Sequence, residues 1–493
     1  MSNAKNRKRE QAKALFKQGE KALQTKSYEE ALDLFTKCIR LYPTPNGYFK
    51  KALATARCKG LATAIQELDH AIELDPENNE FYYYRALFLF AINEIDYAIK
   101  DISRAITITP NKAIYYAERA KYHISNESYE SAIVDAATAA DMESADTSNK
   151  IIYAQVLLKL NKPQQAIDIC SQTLLLDPKH SEAFRVRGRA KTMLGDVPGA
   201  IQDLKTSVQL LPTTEGYEDL GDLNHSTQEY QEAILNYTKG IDLSPRNYTT
   251  YIKRAKANRI MGEHKAAISD LNKYIQLYPS SRCSNSAMSY SPEIASVYLS
   301  IAGEHLAIGE HGQAIVNYSK ALQHNRYLLE AYLMRGQTRL KTKDYSGAIT
   351  DLSKTIVHNA EIIDAWIYRS VAKAKAGDWK GAIQDNGKAL NLVTSEEQKQ
   401  VLEEFGRFLL DSSKVPSMPD SQKPILDKQI TWVLDPCSAH AHYIRAKTWI
   451  EKGRNLEHAK KSLHLALTAS PSPFVRKEIE KTLKITFEDE AFV

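Results

Sequence analysis

The chain has 493 residues, is 43% hydrophobic and 25% charged, and carries a formal net charge of +5. The composition is that of a globular protein, and the charge is too small for this length to support a strong nucleic-acid field. The longest apolar run, residues 86–92, is far too short to cross a bilayer. Five widely spread cysteines (Cys38, Cys58, Cys170, Cys283, Cys437) show no disulfide or zinc spacing, so a reducing, cytoplasmic setting is expected.

The chain opens with a basic segment. Residues 1–26 hold eight Lys/Arg against Glu10 and Glu20. With no apolar core it is not expected to be a signal peptide. With no interleaved aromatics to stack on bases, residues 1–11 read as a solvated extension of a first helix.

From there a period of 33–34 residues runs along the chain. Proline marks it at Pro43, Pro76, Pro110, Pro178, Pro212, Pro245 and Pro279. Alanine recurs at Ala31, Ala64, Ala98, Ala132, Ala166, Ala200, Ala233, Ala267, Ala314, Ala348 and Ala382. Twelve residues before each stands another small residue: Gly19, Ala52, Ala86, Ala120, Ala154, Gly188, Gly221, Ala255, Ala302, Gly336 and Ser370. Four after the alanine a bulky residue recurs, as Phe35, Leu68, Ile102, Leu204, Tyr237, Leu271, Tyr318 and Leu352. Apolar spacings of three and four predict two helices per period. Small residues sit where two axes approach closely, and proline stops the second helix. A lone hairpin cannot bury its face, so the hairpins must stack.

A 34-residue helix–turn–helix with small residues at its eighth and twentieth places, a bulky residue at the twenty-fourth and proline near the end resembles the tetratricopeptide repeat. The resemblance covers residues 12–281 in eight units and 295–396 in three more. It implies an all-α, right-handed solenoid or superhelix of about twelve to thirteen repeats. Residues 282–294 read as a serine-rich inter-repeat loop. Residues 397–473 read as degenerate repeats, with Ala446, Ala459 and Ala466 in register, and residues 474–493 as a capping helix and acidic tail. Ala136 and Asn386 replace the bulky residue, and Ala360 and Thr394 replace the proline, so looser packing is expected there.

In this family one face of each first helix lines a concave groove. The resemblance therefore makes a partner-binding surface of Phe49, Leu53, Tyr83, Tyr84, Leu87, Phe90, Ile151, Arg185, Arg189, Lys253, Lys256, Arg259, Leu299, Leu333 and Ile367. Repeats two and three give it an aromatic patch, the middle a mixture of charges, and repeats nine to eleven an apolar ladder. For the arginines, a solvated face or internal salt bridges to Glu218 and Asp219 are the alternative. In the segment NEFYYYRALFLF (residues 79–90), Tyr82, Ala86 and Leu89 read as the stripe packed inside the repeat, and Tyr83, Leu87 and Phe90 as the groove stripe.

The carboxylate clamp of chaperone-binding members is not matched, since the corresponding places hold Phe16, Glu20, Lys50, Glu80 and Tyr84. Nor is there an asparagine ladder. The phosphate-loop-like stretch at residues 381–390 has the wrong glycine spacing and falls in a predicted helix. Cys437, His440 and His442 lack a fourth ligand for zinc, and His305 and His311 lie on different helix faces. No nucleophile–base pair is recognisable. The expectation is a non-catalytic scaffold or adaptor with no cofactor or metal, holding an extended or helical segment of a partner protein. A structural part of a large assembly, bound through outer faces and ends, is the alternative, with a co-chaperone-like factor or a bacterial effector behind it.

Overall fold

The computed structural model describes residues 2–143, 146–278, 291–412 and 456–468, with isolated positions at 446, 450, 476, 479, 480 and 482. Every regular element among them is a helix. The contacts divide the chain into two compact units, Met1–Pro245 and Arg246–Val493. The first holds seven helix hairpins between Ser2 and Leu243. The second holds four between Tyr248 and Leu392, followed by helices Glu396–Ser412 and Leu456–Thr468. Within each unit the second helix of a hairpin packs on the first helix of the next. The fold class read from the sequence is the one observed.

The two small-residue ladders lie inside the hairpins and are buried in every repeat from the second to the eleventh. Their function is steric. A Cβ added at Gly19 would come within 2.7 Å of Phe35, at Gly188 within 2.7 Å of Leu204, at Gly221 within 2.4 Å of Tyr237 and at Gly336 within 2.8 Å of Leu352. The eighth place therefore empties itself for the bulky twenty-fourth. Ala136 and Asn386 are also buried. Ala136 is closed over by Ile152 and Val156, and Asn386 donates to the Leu402 carbonyl at 2.8 Å.

The second helices end as the prolines dictate. Tyr42, Asp75, Thr109, Asp177, Leu211 and Ser244, each preceding a proline, all leave the helical conformation, with Tyr42, Asp177 and Leu211 extended, which relieves the clash of the following ring with a helical residue. Asn325 and Asn359 make the same turn with no proline after them.

A third ladder occupies the turn inside each hairpin. Lys26, Gly60, Asn93, Glu127, Asn161, Gly195, Gln228, Gly262, Gly309, Lys343 and Gly377 all have positive φ, between 55° and 99°. One left-handed residue reverses the chain in every repeat. Glycine or asparagine fills seven of these places because they reach that region at least cost.

Residues 2–11 continue helix Ser2–Gln24 without a break. Helix Pro292–Ala307 begins three residues ahead of the predicted ninth repeat. Ala446, Ala459 and Ala466 are buried together with Leu463 and Ile479, as their register predicts. The serine-rich loop up to residue 290, the zinc candidates Cys437, His440 and His442, and most of the predicted capping helix lie outside the described residues. Residues 381–390, where a phosphate loop was weighed, are helical.

Candidate functional site

Helix Asn79–Ala91 begins at Asn78, whose side chain accepts from the Glu80 amide. Its rings divide among three neighbours. Tyr82 and Leu89 pack with Ala86 against the second helix of their own hairpin, as the register predicts. Tyr83 and Phe90 meet the next repeat, with Tyr83 5.2 Å from Tyr115 and Phe90 stacked on Tyr122 at 4.5 Å. Burial beside these rings and Glu118 pushes the Tyr83 hydroxyl up to about 12. Phe81, Tyr84 and Phe88 turn back to the preceding repeat, where Phe49 lies 5.3 Å from Phe81 and 5.1 Å from Tyr84. This third face did not follow from the register. Six rings in twelve residues serve a helix with three partners, and such ring pairs are worth about 0.5–1.5 kcal/mol each beyond the area they bury.

These contacts grade the predicted groove residues. Phe49, Ile151 and Ile367 are buried between neighbouring helices and present almost no surface. Leu53, Tyr83, Tyr84, Leu87, Phe90, Leu299 and Leu333 are half-buried. All of them pack on a core cluster or a neighbouring ring except Leu87, which stands between the Tyr83 and Phe90 positions of its own helix.

In the first unit, Arg185 donates to Asp219 at 2.7 Å and to Glu182, and Arg189 stands 3.7 Å from Asp219. Burial pushes the Asp219 carboxyl up, against the pull of both arginines. Arg185 is thus a structural tie, as the salt-bridge alternative held for Asp219. In the second unit Lys253 is half-buried, Lys256 is exposed, and exposed Arg259 reaches toward buried Glu304 at 3.9 Å.

A further charged series did not follow from the apolar and small-residue periodicity. Arg85–Asp101, Arg119–Asp135, Arg187–Asp203, Arg254–Asp270, Arg335–Asp351 and Arg369–Asp385 are each sixteen residues apart and form bidentate pairs at 2.6–2.9 Å. The aspartates are buried. Each guanidinium also lies 4.9–5.9 Å from the ring three residues before it. Arg119, Arg335 and Arg369 donate in addition to a serine of the preceding hairpin, at 2.8–3.1 Å. One planar donor thus joins three helices, a task suited to the rigid fork of arginine. Where the pair is absent, both members change. Lys51–Glu67 keeps an ion pair at 2.7 Å, while the fifth, seventh and ninth repeats hold Tyr153/Ile169, Leu220/Asn236 and Ile301/Asn317. No repeat from the second to the eleventh leaves a buried carboxylate alone at this place, as the cost of an unpaired buried charge requires.

Among the described residues no group of His, Cys, Asp and Glu is arranged to hold a metal ion, and no helix is long and apolar enough to cross a membrane. His305 pairs with Glu310 at 2.8 Å. Cys38 donates to the Ala12 carbonyl at 3.2 Å, and burial pushes its thiol up.

Stacked hairpins with small-residue ladders define a helical-repeat protein. Family models described as tetratricopeptide repeat match residues 5–45, 60–113 and 214–247. Among curated proteins it is 31% identical over 120 residues to DnaJ protein P58IPK homolog B of Oryza sativa subsp. japonica, covering 24% of this chain and 22% of that protein. It is 28% identical over 92 residues to the Hsp70-Hsp90 organizing protein of Triticum aestivum, covering 18% and 16%. The chain thus spans under a quarter of the length of these relatives. Among solved structures, the Cut9–Hcn1 hetero-tetramer of the APC/C aligns over 96% of both chains at 15% identity with a TM-score of 0.38. The human IFIT1 dimer aligns over 76% of this chain and 89% of its own at 13% identity with a TM-score of 0.45.

Proposed function

We propose that the protein acts without catalysis, as an interaction scaffold or adaptor that holds a segment of a partner protein along its first-helix wall. The observation that carries this reading is Leu87. It is half-buried, belongs to no core cluster and is flanked on its own helix by Tyr83 and Phe90, whose rings are fixed by Tyr115 and Tyr122. A stiff aromatic surface with an unclaimed aliphatic centre favours an apolar side chain of a docked segment. The carboxylate clamp is absent, so the named chaperone-organizing relatives give no reason to expect the same ligand here.

The second reading, a structural part of an assembly bound through outer faces, is favoured by Leu175 and Val357. They occupy the same place in the second helices of two repeats and are 84% and 82% exposed. One experiment separates the two. Peptides selected from a displayed random dodecapeptide library should lose binding at least tenfold to Leu87→Glu and retain it with Leu175→Glu. Retention by Leu87→Glu with loss in Leu175→Glu would overturn the first reading in favour of the second.

A further inference from the structure

Tyr237 and Tyr318 occupy the same place in their repeats, and both are almost fully buried. Their hydroxyls fare differently. Tyr237 donates to Asp222, fifteen residues before it, at 2.8 Å. Fifteen residues before Tyr318 stands Gly303. The acceptor has been deleted, and the Tyr318 hydroxyl has no hydrogen-bonding partner among the described residues although Tyr318 is only 1% exposed. It borders a cavity of about 350 Å³ on the first-helix wall of the ninth repeat.

The deletion also opens the entrance. A Cβ placed on Gly303 would meet nothing within 4 Å. Leu299, Ala307 and Met334 give the cavity apolar sides. Two carboxylates face it. Glu304, 3% exposed, is already held by His264 at 2.7 Å and approached by Arg259 at 3.9 Å. Glu330 is exposed and makes no hydrogen bond or ion pair among the described residues. In the second unit it stands close enough to Tyr318 to raise the phenol, together with burial, to about 12. The polar groups of the cavity without a hydrogen bond among the described residues are therefore the phenol oxygen, the Glu330 carboxylate and the Arg259 guanidinium, the last 3.9 Å from Glu304, between apolar walls. Of the charged groups that line it, Glu304 and Glu330 outnumber Arg259, with His264 uncharged unless protonated.

We infer that this cavity takes a basic side chain, a lysine or arginine of a bound partner segment. Its aliphatic stem lies between Leu299 and Met334, and its cationic head donates to the Tyr318 oxygen and the Glu330 carboxylate. Lysine and arginine carry such an apolar stem beneath a charged head, and hydrogen bonds in which one partner is charged are the stronger ones. A carboxylate ligand would face Glu330 and Glu304 at once, and a purely apolar one would leave the phenol unpartnered. The inference rests on the reading that the first-helix wall holds a segment, and it adds the chemistry of one anchor.

The probe is the same random dodecapeptide library, selected on the full chain, followed by titration of a selected peptide and its analogue with norleucine in place of the basic residue. Lysine or arginine should be enriched at one position. Norleucine should weaken binding at least tenfold. Gly303→Leu, which plugs the entrance where a side chain has room, and Glu330→Gln should each weaken the basic peptide at least tenfold and leave the norleucine analogue within threefold. Tyr318→Phe keeps the ring and should weaken only the basic peptide. Unchanged melting of Gly303→Leu verifies its fold. Peptides lost with Gly303→Leu but lacking a basic position, or carrying acidic or amide residues there, would overturn this anchor and leave the adaptor reading standing. So would basic peptides indifferent to Gly303→Leu. A library that yields no binders overturns both.

Discussion

The same substitution should have opposite signs at two glycines. At Gly221 an added Cβ would lie 2.4 Å from Tyr237 Cε1 and 2.6 Å from Cδ1. That ring cannot swing away, because it is buried and its hydroxyl is tied to Asp222. Forcing a methyl into a filled core costs about 1–3 kcal/mol, and so short a contact belongs at the upper end. Alanine in a helix interior returns about 0.5–1 kcal/mol relative to glycine. The net for Gly221→Ala is a loss of about 2 kcal/mol. Gly387, inside helix Trp379–Leu392, has nothing within 4 Å of an added Cβ, so Gly387→Ala keeps the helical gain alone. Global melting of a repeat stack blurs such local effects, so amide hydrogen exchange is the assay. Amides of Tyr230–Leu243 should exchange about 30-fold faster in Gly221→Ala, and those of Trp379–Leu392 about two- to fivefold slower in Gly387→Ala, at about 1.4 kcal/mol per decade. Shifts of the same sign in both variants would refute the steric account of the eighth place.

Arg119→Leu alone should cost about 3–5 kcal/mol by stranding buried Asp135, whereas Arg119→Leu with Asp135→Asn, the pairing found at Leu220 and Asn236, should recover most of it. A double-mutant cycle in urea reads the coupling. Burial opposes ionisation of Asp203, but hydrogen bonds from Arg187 and Lys191 outweigh it and hold its carboxyl below the usual range. Its stabilisation, roughly 1.5–3 kcal/mol, is therefore complete above the unfolded value of about 3.9 and is lost as pH falls below it toward the folded value. The stability gap between the native chain and Asp203→Asn should stay level above about pH 5 and close in acid; a gap widening in acid would reverse the sign. Lys343 holds φ 65° without being glycine, so Lys343→Gly should slow exchange in its hairpin by a factor of about five, the left-handed region costing such a residue about 1 kcal/mol or more. Faster exchange there would count against strain at that turn.

Much of this architecture was legible because its causes are local and repeated. Gly188 with Ala200, or Ala86 with Ala98, declares a close helix crossing by size alone, and Pro76 or Pro110 declares where a helix stops. The residues that escaped did so for identifiable reasons. The left-handed turn residues share a conformation but no chemistry, since Lys26, Glu127 and Gln228 do what Gly60 does. The Arg–Asp pairs kept a fixed spacing in plain view, but a charge reads as solvated until its partner is seen. Phe49, Ile151 and Ile367 were placed on the groove from register and are buried, because register within one hairpin does not say how closely the next one covers it. Tyr318 could not be distinguished from Tyr237 by its own letter; the difference lies fifteen residues earlier, at Gly303.

The fifth repeat sets the arginine clasps in relief. Tyr153 and Ile169 meet there as hydrocarbon, and Cys170 fills the bulky slot with a small thiol that burial pushes up to about 12. The fourth and sixth hairpins are riveted internally by forks of directed bonds that resist sliding, while the fifth lacks the fork and is tied to the sixth by single bonds, from Gln155 to Glu182 at 2.9 Å and from Arg187 to Ser171 at 3.4 Å. Under tension along the first unit, the fifth and seventh hairpins, which lack the fork, are where the stack is expected to yield first.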